Sequence, residues 1–390
     1  MKGLCILGST GSVGTNTLRV VRSLPGRFQV MALSGGRNLD LLVDQTLEFR
    51  PRLVSVAASD GVEPLRHRLR AAGYGERLKI VAGREGSVEA ATLPEVDFVV
   101  SASHGTTGLV ATYEAVRAGK SLGLANKEAL VVAGEIVTQA ARERGVDVLP
   151  IDSEHSALHQ CLRSGGPGEV WRLILTASGG PFLRTPKDDF DAITPEQALK
   201  HPVWKMGGRV TIDSATMMNK GMEIIEAHWF FGVPSPRISV LIHPESIVHS
   251  MVEFSDGSVM AQLSVADMRI PIQYALTYPE RVAMNGDWPR LDLVSTGRLH
   301  FEEPDASRFP CLELGRAALE QGGAMPCALN AADEIAVEAF LDGRLRFRDI
   351  PRIIERIMDR TLPVHLGSME DVLECDQDAR RRAQELVGNI

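Results

Sequence analysis

The chain has 390 residues, of which 44% are hydrophobic and 24% charged, with a formal net charge of −8. That balance fits a soluble protein of roughly two or three domains and argues against a nucleic-acid-binding surface. No apolar stretch approaches a membrane span, and five scattered cysteines (Cys5, Cys161, Cys311, Cys327, Cys375) form no CxxC pair, so they read as reduced thiols rather than a disulfide frame or zinc site. The first strand begins almost at once, so no signal peptide is expected and the cytoplasm is the expected compartment.

The chain opens MKGLCILGSTGSVG. An apolar run, Leu4 to Leu7, leads into Gly8, Gly11 and Gly14 and then into a helical pattern through Val13, Thr17, Leu18 and Val21. Strand, glycine turn and helix in this order form a dinucleotide-binding fingerprint. Gly8 serves the tight turn, Gly11 the approach of backbone N–H groups to a pyrophosphate, and Gly14 the close packing of helix on strand. The helix N-terminus attracts the phosphate charge. The next strand, Phe28 to Leu33, ends in Ser34, Gly35, Gly36, Arg37 and Asn38. The acid that would hold a ribose 2′-hydroxyl is absent, and an arginine suited to a 2′-phosphate is present. The cofactor reads as NADPH rather than NADH; the alternative is that Arg37 is a solvated surface charge.

Strands at Leu53–Ala57, Leu78–Ala82, Phe98–Ser101 and Leu122–Ala125 continue a parallel sheet, with helical patterns between them. The last of these runs into Asn126, Lys127 and Glu128, at the sheet edge where ligands bind in such folds. Lys127 is a candidate to touch cofactor or substrate, or else part of a polar helix start. The strand Val146–Ile151 then delivers Asp152, Ser153, Glu154 and His155. In an extended stretch Asp152 and Glu154 point the same way, and two close carboxylates suit a hard divalent cation such as Mg²⁺ or Mn²⁺. The alternative is that Asp152 caps a helix over Ser156–Leu162.

Thr176 to Gly208 carries Gly and Pro at both ends of a long irregular stretch and reads as a mobile lid, over 178–208, with His201 and Trp204 where it would press on a substrate. A buried Trp204 anchor and a turn role for His201 are the alternatives. Within VTIDSATMMNKGM (Val210 to Met222), Ser214, Asn219 and Lys220 offer hydroxyl, amide and ammonium donors suited to a phosphate. Glu223 follows as a third carboxylate, a role that Asp213 or Glu226 could fill instead. Strands near Arg237–Ile242, Ile247–Phe254 and Ser258–Leu263 come next, then a proline-marked stretch (Pro279, Pro289, Pro304, Pro310). From Leu312 the pattern is helical, with Ile350 to Met358 apolar at helical spacing. No internal repeat or low-complexity tract is present.

Taken together, GSTGSVG, LANKE, PIDSEH, TASGGPF, KHPVWKMG and DSATMMNKGMEIIEA, with LIHPESIVHSMVEFSDGS and LNAADEIAVEAFL, resemble in order and spacing the 1-deoxy-D-xylulose 5-phosphate reductoisomerase family. The resemblance spans essentially the whole chain. It implies an α/β fold with a Rossmann-type NADPH-binding domain over 1–150, a central α+β catalytic domain over 151–290, a linker over 291–311 and a C-terminal helical bundle over 312–390. It also implies a homodimer built on the central sheet, with no membrane or nucleic-acid partner.

The implied reaction converts 1-deoxy-D-xylulose 5-phosphate and NADPH to 2-C-methyl-D-erythritol 4-phosphate, with Mg²⁺ or Mn²⁺ (Co²⁺ as a further option). Both a retro-aldol cleavage with re-addition and a one-step ketol shift are compatible with the residues. Position by position, Asp152, Glu154 and Glu223 match the metal ligands, and Lys127, Ser153 and Glu154 match contacts to the substrate backbone. Ser178, Ser214, Asn219, Lys220 and His201 match the phosphate holders, and Trp204 the residue that closes over the substrate. Thr10, Gly11, Ser12, Val13, Gly36, Arg37, Asn38, Asn126, Glu128 and Gly207 match cofactor contacts. Two places depart from the family pattern: SASHGTTG (Ser101 to Gly108), with His104 among small polar residues, and Asp333, where Asn is common. Two rivals stand beside this reading: an NADP-dependent oxidoreductase that does not rearrange its substrate's skeleton, and a non-catalytic NADPH-binding protein.

Overall fold

A computed structural model describes residues 1–75, 78–103, 105–204, 207–286 and 288–389. The chain divides into two compact units, the first formed by 1–129, 137–156 and 267–288, the second by 130–136, 157–266 and 289–390.

The first unit is built on seven strands, β1 (Lys2–Leu7), β2 (Phe28–Ser34), β3 (Leu53–Val56), β4 (Lys79–Ala82), β5 (Phe98–Ser101), β6 (Ser121–Leu124) and β7 (Val148–Pro150). They form one parallel sheet in the order β4-β3-β2-β1-β5-β6-β7. Parallel strands joined by helical crossovers are covered on both faces, and β3 and β5 are buried at every residue. The strand order reverses between β1 and β5, so the crevice beyond their carboxyl ends is where this fold receives a ligand. The glycine turn sits there. Gly8 has φ +79, and a Cβ on Gly14 would lie 2.3 Å from the Gly8 carbonyl oxygen, so only glycine lets the helix Ser12–Ser23 start so close to β1. One element of this unit comes from far along the chain. Ile272, Ala275 and Leu276 of the helix Arg269–Thr277 share a core with Leu4, Leu18 and Val20.

The second unit holds a four-stranded sheet, β8 (Val170–Ala177), β9 (Ile238–Ile242), β10 (Val248–Phe254) and β11 (Val259–Leu263), in the order β11-β10-β8-β9. β8 is central, antiparallel to β10 and parallel to β9. It is a strand that the sequence reading lacks. Its run VWRLILTA is buried from Leu173 to Ala177, and such a short apolar run does not declare its type by periodicity. Four helices, Cys311–Gln321, Met325–Leu341, Asp349–Asp359 and Met369–Gly388, follow. The third buries Ile350, Ile353, Ile354 and Ile357 on one stripe, the 3.6-residue pattern seen in the sequence. Among the described residues, no helix is long and apolar enough to cross a membrane.

A chain of buried and partly buried charges ties these helices to the helix Gly208–Thr216. Arg209 donates to Glu334 at 2.5 Å and to Asn330 at 2.8 Å, and lies 3.4 Å from Asp333; Arg380 pairs with Glu334 and Asp376. Asp333 is wholly buried, and desolvation outweighs Arg209, pushing its carboxyl from 3.8 up to about 6. The folded chain therefore keeps this proton to higher pH than the unfolded chain does. The stability this gives is present below about pH 4 and is lost as pH rises through 6. Asp333→Asn is expected to remove that slope, gaining roughly 2 kcal/mol on wild type between pH 4.5 and 7.5. Denaturant titrations at the two pH values check this; parallel losses in both proteins would contradict it.

Candidate active site

In the first unit the residues expected to contact the cofactor lie at three carboxyl edges of the sheet. Thr10, Gly11, Ser12 and Val13 form the turn after β1 and the first turn of the helix Ser12–Ser23. Gly11 caps this helix without a side-chain hydrogen bond, and no acid stands in its first turn. The leading N–H groups thus meet no side-chain cap and no acid of their own first turn, which suits a pyrophosphate. Gly36, Arg37 and Asn38 follow β2 and are exposed. The Asn38 carboxamide oxygen accepts from the Leu41 N–H and caps the next helix, which leaves its amide N–H₂ to face outward. No acid pairs with Arg37 among the described residues.

Asn126 follows β6. Its backbone N–H is held by the Ser101 carbonyl at 2.9 Å, and its side chain is buried with neither amide atom partnered in the protein. A buried carboxamide left so is costly unless a ligand engages it. It stands beside Gly108, where a Cβ would lie 2.6 Å from the Asn126 Nδ2. Glu128, two residues on, is also buried. His104, on which the departure at Ser101–Gly108 turns, lies outside the described residues, as do Lys205 and Met206 of the lid stretch.

Asp152 and Glu154 follow β7, but not in an extended stretch. The helix starts at Ser153 and runs to Leu162, so the argument that residues two apart face one way does not apply. Asp152 precedes it and accepts from the Ser153 N–H at 2.9 Å through Oδ1, while its Oδ2 meets the Lys127 ammonium. One carboxylate thus meets the first N–H of the helix and an ammonium together. Ser153 donates to Glu154 at 2.5 Å. Lys127, Asp152, Ser153 and Glu154 form one partly buried polar cluster at this sheet edge.

The second unit gathers the remaining residues. Ser178 leaves the end of β8. The His201 Nδ1 accepts from the backbone N–H groups of Val203 (3.2 Å) and Trp204 (2.9 Å), so in the neutral ring the proton sits on Nε2, which donates to Ser178 at 3.0 Å. The Ser178 hydroxyl also accepts from the Gly180 N–H. A Cβ on Gly180 would lie 2.7 Å from the Ser214 carbonyl oxygen, so the Ser178 loop rests on the helix Gly208–Thr216 that carries Ser214. Gly207 caps that helix.

Met217, at φ +66, breaks this helix from the next, Met218–Phe231. The second helix therefore starts afresh and presents Asn219 and Lys220 in its first turn, with Glu223 one turn on. Glu223 is fully buried, accepts from Asn219 at 2.5 Å and pairs with the Lys220 ammonium. Helical spacing of three and four is what brings these three together. Asp213 faces Arg209 in the charge network instead. The sequence reading gave His249 no role. It is buried on β10 with its ring 6.2 Å from that of Trp204, and the signal for it was a polar residue at an inward strand position in IVHSMV.

Three family models match the chain: 1-deoxy-D-xylulose 5-phosphate reductoisomerase over residues 4–134, the C-terminal domain of the same enzyme over 148–231, and DXP reductoisomerase C-terminal domain over 263–382. The chain is 51% identical over 387 residues to a 1-deoxy-D-xylulose 5-phosphate reductoisomerase of Geobacillus sp., covering 99% of this chain and 100% of that one. It is 52% identical over 388 residues to that of Geobacter metallireducens, covering all of both. Among solved structures, the reductoisomerase from Zymomonas mobilis in complex with NADPH matches with TM-score 0.92 at 41% identity over all of both chains. A DOX-P reductoisomerase in complex with NADPH, fosmidomycin and magnesium matches with TM-score 0.94 at 39% identity, over 100% of this chain and 98% of that one. The chain belongs to the 1-deoxy-D-xylulose 5-phosphate reductoisomerase family.

Proposed function

We propose that this chain converts 1-deoxy-D-xylulose 5-phosphate to 2-C-methyl-D-erythritol 4-phosphate with NADPH and a divalent cation, a step of isoprenoid precursor synthesis. The observation that carries this is full-length identity of about half with reductoisomerases, together with a close structural match to one complexed with NADPH, fosmidomycin and magnesium. The residues fit both groups. The unpartnered Asn126 carboxamide, the uncapped helix start at Ser12 and the exposed Arg37 suit a dinucleotide phosphate and nicotinamide; Asp152, Glu154 and Glu223 are hard oxygen donors of the kind Mg²⁺ and Mn²⁺ take.

When bound, the cation supplies Lewis acidity and the nicotinamide supplies hydride. Asp152, Glu154 and Glu223 hold the cation in this reading. Lys127 steadies Asp152 and carries positive charge toward the reacting end of the substrate, where Ser153 donates a hydrogen bond. Ser178, Ser214, Asn219, Lys220 and His201 bind the phosphate, which makes no bond in the reaction but orients the rest. Trp204, over the substrate, excludes water. Thr10 to Val13, Gly36 to Asn38, Asn126, Glu128 and Gly207 hold NADPH. A homodimer through the central sheet is supported by β11, an edge strand with Val259 and Met260 both over 40% exposed. The compartment proposed is the cytoplasm.

NADPH oxidation driven by 1-deoxy-D-xylulose 5-phosphate, with and without a chelator, tests the activity. Oxidation abolished by the chelator, with the rearranged product found by mass and NMR, is expected. A reduced but unrearranged product would contradict it. Arg37→Ala is expected to cut the preference for NADPH over NADH by about tenfold or more, through loss of a bidentate phosphate contact. Paired Kd measurements check this, and unchanged preference removes Arg37 from the site.

A further inference from the structure

Four of the five cysteines are buried; Cys375, on the helix Met369–Gly388, is partly exposed. Cys327, on the helix Met325–Leu341, faces it. The Cys327 thiol donates to the Val372 carbonyl at 3.6 Å, and the Cys375 thiol donates to the Ala324 carbonyl at 3.8 Å. Val372 lies three residues before Cys375, and Ala324 three residues before Cys327. Side chains lean toward the N-terminus of their own helix, so each sulfur reaches the level of the carbonyl one turn earlier on the opposite helix. Both sulfurs therefore occupy one level of the same helix–helix seam.

We propose that Cys327 and Cys375 form a reversible thiol–disulfide site in the C-terminal helices, with a low-molecular-weight disulfide as its oxidant. The two thiols differ in the way such a site needs. The adjoining Cys327 side chain, aided by Arg382, holds the Cys375 thiol below its ordinary range, while the same pairing and burial push Cys327 well above it. Cys375 is the more accessible and the better thiolate, so it reacts first. Its thiolate attacks one sulfur of the oxidant, forming a mixed disulfide and releasing one thiolate. Cys327 then attacks the Cys375 sulfur, giving its proton to solvent and displacing the second thiolate. Two protein thiols are oxidised, one external disulfide is reduced to two thiols, and the new bond staples the two helices around the whole Asp349–Asp359 helix. Cys5 and Cys311, by contrast, have thiols raised by burial alone or chiefly so.

The full-length reduced protein, incubated with oxidised glutathione and then alkylated in denaturant and digested, tests this. The expected result is a linked peptide pair containing Cys327 and Cys375, reversed by dithiothreitol, in a protein whose Tm has risen. Cys327→Ser should stop at a glutathione adduct on Cys375, and Cys375→Ser should take no adduct at Cys327. A lasting glutathione adduct on Cys375 in the wild type, or full alkylation of both cysteines after the same exposure, would overturn the proposal.

Discussion

Glu223→Gln is expected to lower kcat by about a hundredfold or more, even at saturating Mg²⁺, while NADPH affinity stays within about twofold of wild type. The substitution keeps the size of the side chain and its hydrogen bond to Asn219, so the helix Met218–Phe231 should fold as before. What it removes is the negative charge, and a hard divalent cation depends on charge in its oxygen ligands. It also leaves the buried Lys220 ammonium without the carboxylate it faces, an added cost to the site and not to the nucleotide fold. The glycine turn, Arg37 and Asn126 all belong to the first unit, which is why cofactor binding should be spared. Turnover and a fluorescence titration with NADPH read the two quantities separately. Near-normal turnover would reject the metal role.

Lys220→Ala is expected to raise the KM for 1-deoxy-D-xylulose 5-phosphate by about ten- to a hundredfold, the worth of a charge-assisted hydrogen bond lost in a buried setting. Lys220 is nearly fully buried. An ammonium in such a place is stable only beside anions, of which Glu223 is one and a substrate phosphate a fitting second. With the cation bound, Glu223 keeps a positive neighbour after the substitution, so kcat should fall less than KM rises. The separating control is the substrate without its phosphate, for which wild type and variant should perform alike. An unaltered KM for the phosphorylated substrate, or an equal loss with the unphosphorylated one, counts against Lys220 as a phosphate ligand.

The nucleotide fold was legible because it rests on local rules. Gly8 and Gly14 are demanded by a positive φ and a backbone approach, and apolar runs between helical patterns announce a parallel sheet. The polar stretch around Asn219 was legible from its donor types alone; that Asn219, Lys220 and Glu223 share one helix, where residues three and four apart meet, is what the structure adds. Other features depend on distant partners. β8 reads as a strand only once β10 and β9 flank it, and along the chain most of its residues carry no signal of their own. Arg269–Thr277 joins the first unit through contacts with a helix more than two hundred residues earlier, which no window along the chain reveals. An extended backbone would aim Asp152 and Glu154 the same way, whereas the helix begins at Ser153; the chemistry of the donors, not that backbone, supports them as ligands. In the sequence Asp333 is only an aspartate where asparagine is common; burial, which outweighs Arg209, makes it a carboxyl raised to about 6.

Anomalous diffraction at the manganese edge, from crystals grown with Mn²⁺, NADPH and substrate, tests the ligand set most directly. One peak with a carboxylate oxygen from each of Asp152, Glu154 and Glu223 at about 2.2 Å is predicted. A peak ligated by other side chains, or no peak beside these three acids at saturating Mn²⁺, would contradict it.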